Sequence, residues 1–263
     1  MLLAQITDCH VVEAGRKLFD RIDTAGHLAR AVEHLNRLAP DFVWVTGDLV
    51  ESGGPEQYAH LRALLDRLAA PYAVLPGNHD ERAALKAAFA DHPYWRTDTA
   101  FLQYTIETLP LRLVGLDSLL PGEGGGRLCE ERLAWLEARL AEAPERPTLI
   151  AVHHPPFVSG LAEMDAINLA NSEALGEIVR RHPKIERILC GHLHRPIAMR
   201  WHGTVVTTAP ATAHQVALHL GQGKPVSWIM EPPACHLHYW QPGAGLVTHQ
   251  SYIGDWGPAT PYE

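Results

Sequence analysis

Five short polar clusters in the sequence carry side chains that could do chemistry. Each follows a short apolar run of the kind that forms a buried strand, and the clusters are Asp8-Cys9-His10, Gly47-Asp48, Gly77-Asn78-His79-Asp80, His153-His154-Pro155-Pro156 and Gly191-His192-Leu193-His194. They combine carboxylate and amide oxygens with imidazole nitrogens, and histidine is the commonest metal ligand in proteins. A mixed oxygen and nitrogen set suits first-row divalent metals better than calcium or magnesium. The pattern therefore predicts a transition-metal site.

The number of candidate ligands indicates two ions rather than one. The set is too large for one ion with an open position and suits two ions that share a carboxylate; its members are Asp8, His10, Asp48, Asn78, His154, His192 and His194. Two metals about 3.5–4 Å apart are a common device for hydrolysing phosphate esters, because they orient the phosphorus and offset charge on the attacking and leaving oxygens. Such chemistry requires no serine or cysteine nucleophile.

The segments around these clusters predict an α/β fold. Strands are expected at 2–6, 42–45, 72–75, 148–152 and 185–189, and apolar residues recur at helical spacing between them. The β-α-β-α-β-α order of the first third of the chain implies parallel strands covered by helices. Ligands of such sheets collect beyond the carboxyl ends of the strands, which is where all five clusters fall.

Two hairpins and an irregular tail complete the expected organisation. One hairpin joins 101–108 to 111–116, and a second joins 197–201 to 204–208. Asp80 is expected to cap a helix that runs through Ala90. Beyond Pro210 the alternation of helices and strands stops, and short strand-like pieces at 226–230 and 236–240 are separated by glycine and proline.

We therefore expect a catalytic domain over 1–210 and a small β-rich extension over 211–263. The extension is predicted to cover part of the site or to make an oligomer contact. The chain length of 263 residues is compatible with one α/β domain and such an appendage.

Composition excludes some classes of partner. The net charge of −8 disfavours a nucleic-acid polymer or an anionic membrane surface as a partner. No apolar run is long enough to span a bilayer, and no leader-like segment precedes Asp8. The four cysteines lack C-x-x-C spacing, so a structural zinc site is not indicated, although a disulfide remains open. The sequence thus predicts a soluble cytoplasmic protein.

As a set, the motifs D-x-H, G-D, G-N-H-D, H-H-P-P and G-H-x-H resemble the calcineurin-like metallophosphoesterase superfamily. They resemble most its bacterial branch of class III cyclic-nucleotide phosphodiesterases and glycerophosphodiesterases. All five occur in family order between Asp8 and His194, and the likeness to the glycerophosphodiesterases continues through Ala213-His214-Gln215-Val216. The resemblance implies a four-layer α-β-β-α sandwich with a small C-terminal β-rich cap, assembled as a homodimer or higher homo-oligomer.

The resemblance also implies a role for each motif residue. It puts Asp8, His10 and His194 on the first metal and Asn78, His154 and His192 on the second, with Asp48 bridging the two. His79 is implied to sit beside the substrate phosphate, as proton donor to the leaving group or as a charge stabiliser. His214 resembles a histidine near the substrate pocket. His153 is expected to be structural, because the family uses its neighbour.

Two residues depart from the pattern of these relatives. Cys9 stands where they usually have threonine or serine, which bears on metal preference and sensitivity to oxidation. Phe19 stands where the glycerophosphodiesterases have a tyrosine, so a hydrogen bond near Asn78 is expected to be lost.

The sequence therefore predicts a dinuclear metal-dependent phosphodiesterase, in which a hydroxide held by the metals attacks phosphorus in line. The expected substrates are small phosphodiesters, either 3′,5′-cyclic nucleotides such as cAMP or glycerophosphodiesters. The expected metals are iron, manganese, cobalt or zinc. One alternative is a phosphomonoesterase, including a protein phosphatase, which would usually want extra arginines at the pocket. Another is a non-catalytic metal-binding scaffold, which should have lost ligands.

Overall fold

The computed structural model describes residues 1–95, 99–221 and 223–262. Its α-helices are α1 (Thr24–Leu38), α2 (Pro55–Leu65), α3 (Arg82–Ala88), α4 (Glu130–Glu142), α5 (Ala162–Asp165) and α6 (Ser172–Arg181). Its strands are β1 (Leu2–Ile6), β2 (Phe42–Thr46), β3 (Tyr72–Leu75), β4 (Tyr104–Ile106), β5 (Arg112–Leu116), β6 (Thr148–Val152), β7 (Ile185–Cys190), β8 (Ile197–Trp201), β9 (Thr204–Thr208), β10 (Gln215–Val216), β11 (Trp228–Ile229), β12 (Ala234–Gln241) and β13 (Gly245–Tyr252). A short 3-10 helix covers Pro93–Trp95.

The strands form two main sheets. The first sheet has the order β13-β12-β1-β2-β3, and β1, β2 and β3 run parallel. The second has the order β4-β5-β6-β7-β9-β8, with β5, β6, β7 and β9 parallel. The two predicted hairpins, β4–β5 and β8–β9, are confirmed as antiparallel pairs at its edges. All parallel strands therefore point their carboxyl ends toward one edge of their sheet.

Three apolar layers hold the sheets and helices together. Side chains of both sheets, including Leu3, Trp44, Tyr104 and Leu189, form the layer between the sheets. There the indole nitrogen of Trp44 donates to the hydroxyl of Tyr104 at 2.8 Å, which satisfies two buried polar atoms. Helices α1, α2 and α3 cover the first sheet, and α4 and α6 cover the second. The predicted four-layer α-β-β-α architecture is confirmed.

The segment over 211–263 divides between two locations. Strands β10 and β11 form a small two-stranded sheet. Strand β12 instead pairs antiparallel with β1, and β13 extends the same sheet. Residues 222 and 263 lie outside the described residues. The boundary at 210 stays a prediction, but 234–252 continue the first sheet rather than forming a separate cap. Alternation in the sequence marks a strand and cannot say which distant strand will be its partner.

Asp80 does not cap the helix that follows it. The helix begins at Arg82, and the Glu81 carboxylate accepts from the first-turn N–H groups of Ala83 and Ala84. Asp80 is buried and accepts from the N–H groups of Leu49 and Gly77 and from the Tyr58 hydroxyl. Its carboxylate thus joins the loops after β2 and β3.

Two further expectations concern the whole chain. None of the helices in the described ranges is long and apolar enough to cross a membrane. All four cysteines are free thiols, so no disulfide forms among them.

Candidate metal centre

The loops after five parallel strands converge at one place between the sheets. They follow β1, β2, β3, β6 and β7, and they carry the five motifs. Five of their residues have left-handed backbones with φ between 43° and 68°: Asp8, His10, Asp48, His192 and His194. Residues other than glycine rarely adopt this conformation, and backbone strain of this kind clusters at functional sites.

One cluster of buried groups consists of Asp8, His10, Asp48 and His194, whose ligand-capable atoms all lie within 4.8 Å of one another. The Nε2 atoms of His10 and His194 are 3.2 Å apart. Nε2 of His194 is 3.3 Å from Oδ1 of Asp8, and Nε2 of His10 is 3.7 Å from Oδ2 of Asp48. These four residues can hold one metal ion.

The opposite nitrogen of each histidine in this cluster is engaged by an acceptor. Nδ1 of His10 donates to the Glu51 carboxylate at 2.7 Å, and Nδ1 of His194 donates to the carbonyl of His214 at 3.0 Å. Because Nδ1 carries the hydrogen, the lone pair of each Nε2 faces the centre, as in metal-binding histidines. The sequence analysis did not identify Glu51, whose only signal is its position three residues after Asp48.

A second group lies on the other side of Asp48. His153, His154 and His192 offer ring nitrogens within 4.8 Å of one another. Nδ1 of His192 is 3.1 Å from Oδ1 of Asn78, and both atoms can ligate a metal. Nε2 of His192 is buried with no hydrogen-bond partner in the described part of the chain.

The two adjacent histidines of this group differ in what their nitrogens do. Nδ1 of His153 donates to the carbonyl of Thr46 at 2.9 Å, so its Nε2 is the nitrogen that faces Oδ2 of Asp48, 3.3 Å away, and it can bind a metal in place of a proton. His154 has no free lone pair, because Ser118 donates to its Nδ1 at 2.8 Å and its Nε2 donates to the Gly124 carbonyl at 3.2 Å. The geometry favours His153 as the ligand over the predicted His154. Successive side chains at a strand end point to opposite sides, so only one of the two faces Asp48.

The electrostatics of the centre fit a cation. Among the described residues, only histidines form ion pairs with the buried carboxylates of Asp8 and Asp48. Burial opposes the charged form of His153, but the neighbouring Asp48 carboxylate outweighs it and raises the pKa of His153 to about 9. Burial, helped by the adjacent His153, lowers the pKa of His154 to about 3. Buried charges are normally paired or coordinate metals, and the raised pKa of His153 means that the Asp48 carboxylate favours a positive charge at Nε2, where a metal can replace the proton.

Two motif glycines allow the loops to approach this closely. A Cβ atom on Gly77 would lie 2.2 Å from Oδ1 of Asp48, and one on Gly191 would lie 2.1 Å from the Thr7 hydroxyl oxygen. Any other residue at these positions would push the loops apart.

A cavity of about 330 Å³ opens over the centre. Its lining includes Asp48, Asn78, His192 and His194 together with His79 and His214, the two histidines predicted to lie near the substrate. The backbone N–H of His79 donates to Asp48 at 3.0 Å, and its Nδ1 donates to the Glu51 carbonyl at 2.8 Å. The hydrogen bond at Nδ1 leaves Nε2 for a ligand. The ring of His214 lies 4.8 Å from that of His194, centroid to centroid.

Comparison with known proteins identifies the family and several relatives of this chain. The model of the calcineurin-like phosphoesterase family matches residues 1–196. A glycerophosphodiester phosphodiesterase of Enterobacter lignolyticus is 38% identical over 267 residues, covering 97% of this chain and 94% of the relative. A 3′,5′-cyclic adenosine monophosphate phosphodiesterase of Escherichia coli is 30% identical over 219 residues, covering 82% of this chain and 78% of the relative.

The fold is also found in solved structures. A dimetal phosphatase from Danio rerio superimposes with a TM-score of 0.68 at 16% identity, covering 97% of this chain and 99% of the other. At that identity the likeness concerns the fold alone. The motifs covered by the family model meet at one buried centre. Because this model matches most of the chain, the chain belongs to the calcineurin-like phosphoesterase family.

Proposed function

We propose that this protein hydrolyses small phosphodiesters with the help of two divalent metal ions. The observation that carries the proposal is the pair of ligand groups that meet at Asp48 beneath a cavity of about 330 Å³. The names of the relatives, which include glycerophosphodiester and cyclic-nucleotide phosphodiesterases, support it.

We propose one change to the ligands expected from the sequence. Asp8, His10 and His194 hold the first metal with Asp48, and Asn78, His153 and His192 hold the second with the same carboxylate. His153 replaces His154, which instead packs beside the centre through Ser118 and Gly124. Iron, manganese, cobalt and zinc all suit this donor set. When bound, the pair of metals supplies Lewis-acid activation of a water and neutralises charge on the phosphate.

The residues of the chain then position the substrate. His79 offers Nε2 to the phosphate or to the leaving oxygen, because Nδ1 is held by the Glu51 carbonyl. His214, which directly precedes β10, lines the same cavity. Glu51 orients two histidines. Its carboxylate accepts a hydrogen bond from Nδ1 of His10, and its backbone carbonyl accepts one from Nδ1 of His79.

The cavity favours a diester over a monoester. Its lining among the described residues includes no lysine or arginine. In the adjoining cavity, Arg82 donates to both carboxylate oxygens of Asp117 and to the Leu119 carbonyl, so its guanidinium is engaged. A dianionic monoester would usually be held by such cations, whereas a diester carries one charge. Both cyclic nucleotides and glycerophosphodiesters remain candidates, and a cytoplasmic location and a homo-oligomer stay predictions.

The test is steady-state hydrolysis by metal-reconstituted protein. We would compare cyclic AMP, glycerophosphoethanolamine and p-nitrophenyl phosphate, using Asn78→Ala as the disabled variant and Asn36→Ala, on the surface helix α1, as the matched control. We expect diester turnover that collapses in Asn78→Ala and is unchanged in Asn36→Ala. A preference for the monoester would move the protein to the phosphatase class, and absence of bound metal with no turnover would leave the scaffold alternative.

A further inference from the structure

The mouth of the cavity above the metal centre has an aromatic wall, which we define as Phe19 and Trp228. Both rings are unusually open for aromatic side chains, with 55% of Phe19 and 39% of Trp228 exposed. The rings are nearly parallel, with an interplanar angle of 16° and centroids 6.5 Å apart. An apolar surface left open at a site of polar chemistry requires an explanation, because burying it elsewhere would stabilise the fold.

A strained turn holds Phe19 in this place. Phe19 and Asp20 have φ values of 52° and 56°, which is rare for a bulky residue. The turn is closed by two backbone hydrogen bonds of 2.9 Å between Leu18 and Ile22, whose side chains are buried. With both ends anchored, the exposed ring of Phe19 lies over the cavity, 6.4 Å from the ring of His214.

The second ring of the wall is attached to the centre through the small sheet. Trp228 of β11 pairs with Val216 of β10. Strand β10 begins directly after His214 in the chain. Ala217 donates to the Ser227 carbonyl at 2.8 Å and extends this pairing. The same stretch supplies the His214 carbonyl that orients His194, so hydrogen bonds connect Trp228 to the metal centre through one short segment.

The remaining lining near the wall is mostly apolar, with Ser227 as its polar member. Met164, Ile167, Val216 and Val226 complete this side of the cavity. Apart from the Ser227 hydroxyl, such a surface offers no hydrogen-bonding side chain to the hydroxyls of glycerol or to the ammonium of ethanolamine. It suits a flat ring, since aromatic side chains stack on bases and aryl groups with little dependence on their edges.

Resting on the proposed function, we propose that the aromatic wall binds a flat aromatic group of the phosphodiester and thereby sets the preference of this enzyme. Phe19 and Trp228 then act as specificity-determining residues that favour diesters with an aromatic group over diesters of glycerol. The aromatic group is a nucleobase or an aryl ring, and substrates of the two kinds distinguish these sources.

The experiment compares Phe19→Leu and Trp228→Leu, which keep apolar bulk and remove the ring, with Trp256→Leu as the matched control. Trp256 is exposed and lies near the C-terminus, outside this cavity. Substrates are cyclic AMP, bis(p-nitrophenyl) phosphate and glycerophosphoethanolamine. For each variant of the wall we expect KM for the aromatic substrates to rise roughly tenfold, the change typical of a lost stacking contact. We expect kcat/KM for the glycerol diester to change less than twofold.

Binding of products gives a second readout. Inhibition by adenosine 5′-monophosphate should weaken roughly tenfold in both variants of the wall, while inhibition by glycerol 3-phosphate should stay constant. If only cyclic AMP and adenosine 5′-monophosphate respond, the group is a nucleobase; if only the nitrophenyl diester responds, it is an aryl ring.

Several results would overturn this inference. An equal loss for all three substrates would mean general damage, and an unchanged KM for the aromatic diesters would mean that the wall binds no ring. A changed sedimentation coefficient with unchanged KM would assign the wall to a contact between copies of the chain. A wild-type protein that hydrolyses no diester refutes the proposed function itself, whereas one that hydrolyses diesters without aromatic preference refutes only the role of the wall.

Discussion

Replacing His153 and His154 one at a time is the sharpest test of the metal centre. The two residues are adjacent in sequence and both are buried, so the variants His153→Ala and His154→Ala are closely matched. We expect His153→Ala to retain one metal per chain instead of two. The reason is that Nε2 of His153 is the nitrogen that faces Asp48 at 3.3 Å, whereas both nitrogens of His154 are engaged.

The structure also sets the size of each effect. Substituting a residue that only orients a ligand typically lowers metal affinity or activity 10- to 100-fold, so loss of a ligand should lower kcat/KM by more than about 100-fold. His154→Ala should stay within about 100-fold. It removes hydrogen bonds to Ser118 and Gly124, each contributing about 1 kcal/mol, and should lower the free energy of unfolding by roughly 2–4 kcal/mol once the cavity left by the ring is included.

Three measurements check these expectations on the same preparations. Elemental analysis after dialysis against Mn²⁺ gives the number of metal ions per chain. Hydrolysis of bis(p-nitrophenyl) phosphate gives kcat/KM, and urea titration gives the free energy of unfolding. Ser118→Ala serves as a milder probe that keeps the His154 ring and should retain both metals. If His154→Ala loses one metal while His153→Ala retains two, the reasoning from nitrogen lone pairs is refuted, and the assignment expected from the sequence stands.

Three further predictions concern the same centre. Gly77→Ala should lower kcat/KM by more than about 100-fold with an unchanged circular dichroism spectrum, because its Cβ would lie 2.2 Å from Oδ1 of Asp48; near-normal turnover would contradict this close approach. Glu51→Gln should weaken metal binding about 10- to 100-fold in a competition titration, since the carboxylate holds Nδ1 of His10 at 2.7 Å, and unchanged affinity would show that this bond is dispensable. Removing the metals with a chelator should abolish turnover and lower Tm, and adding Mn²⁺ should restore both. An unchanged Tm in the presence of the chelator would argue against a bound ion.

Much of the architecture could be predicted from sequence because it depends on local patterns. Short apolar runs and helical spacing determine the strands and helices, and the β-α alternation requires parallel strands with their carboxyl ends at one edge. Motif residues that follow such strands must then converge, as Asp8, Asp48 and Asn78 do. Their residue types alone indicated transition metals.

The tertiary structure decided what depends on direction and on distant partners. Sequence spacing cannot tell which of His153 and His154 faces Asp48. That choice depends on the twist at the end of the strand and on the positions of the Thr46 and Gly124 carbonyls that accept hydrogen bonds from the two rings. It likewise cannot show that β12 pairs with β1, since any exposed strand edge can accept a partner. Phe19 and Trp228 are far apart in the sequence, and their rings stack only in the folded chain. The strained turn carries Phe19 and the small sheet of β10 and β11 carries Trp228, so their tertiary arrangement brings the rings together.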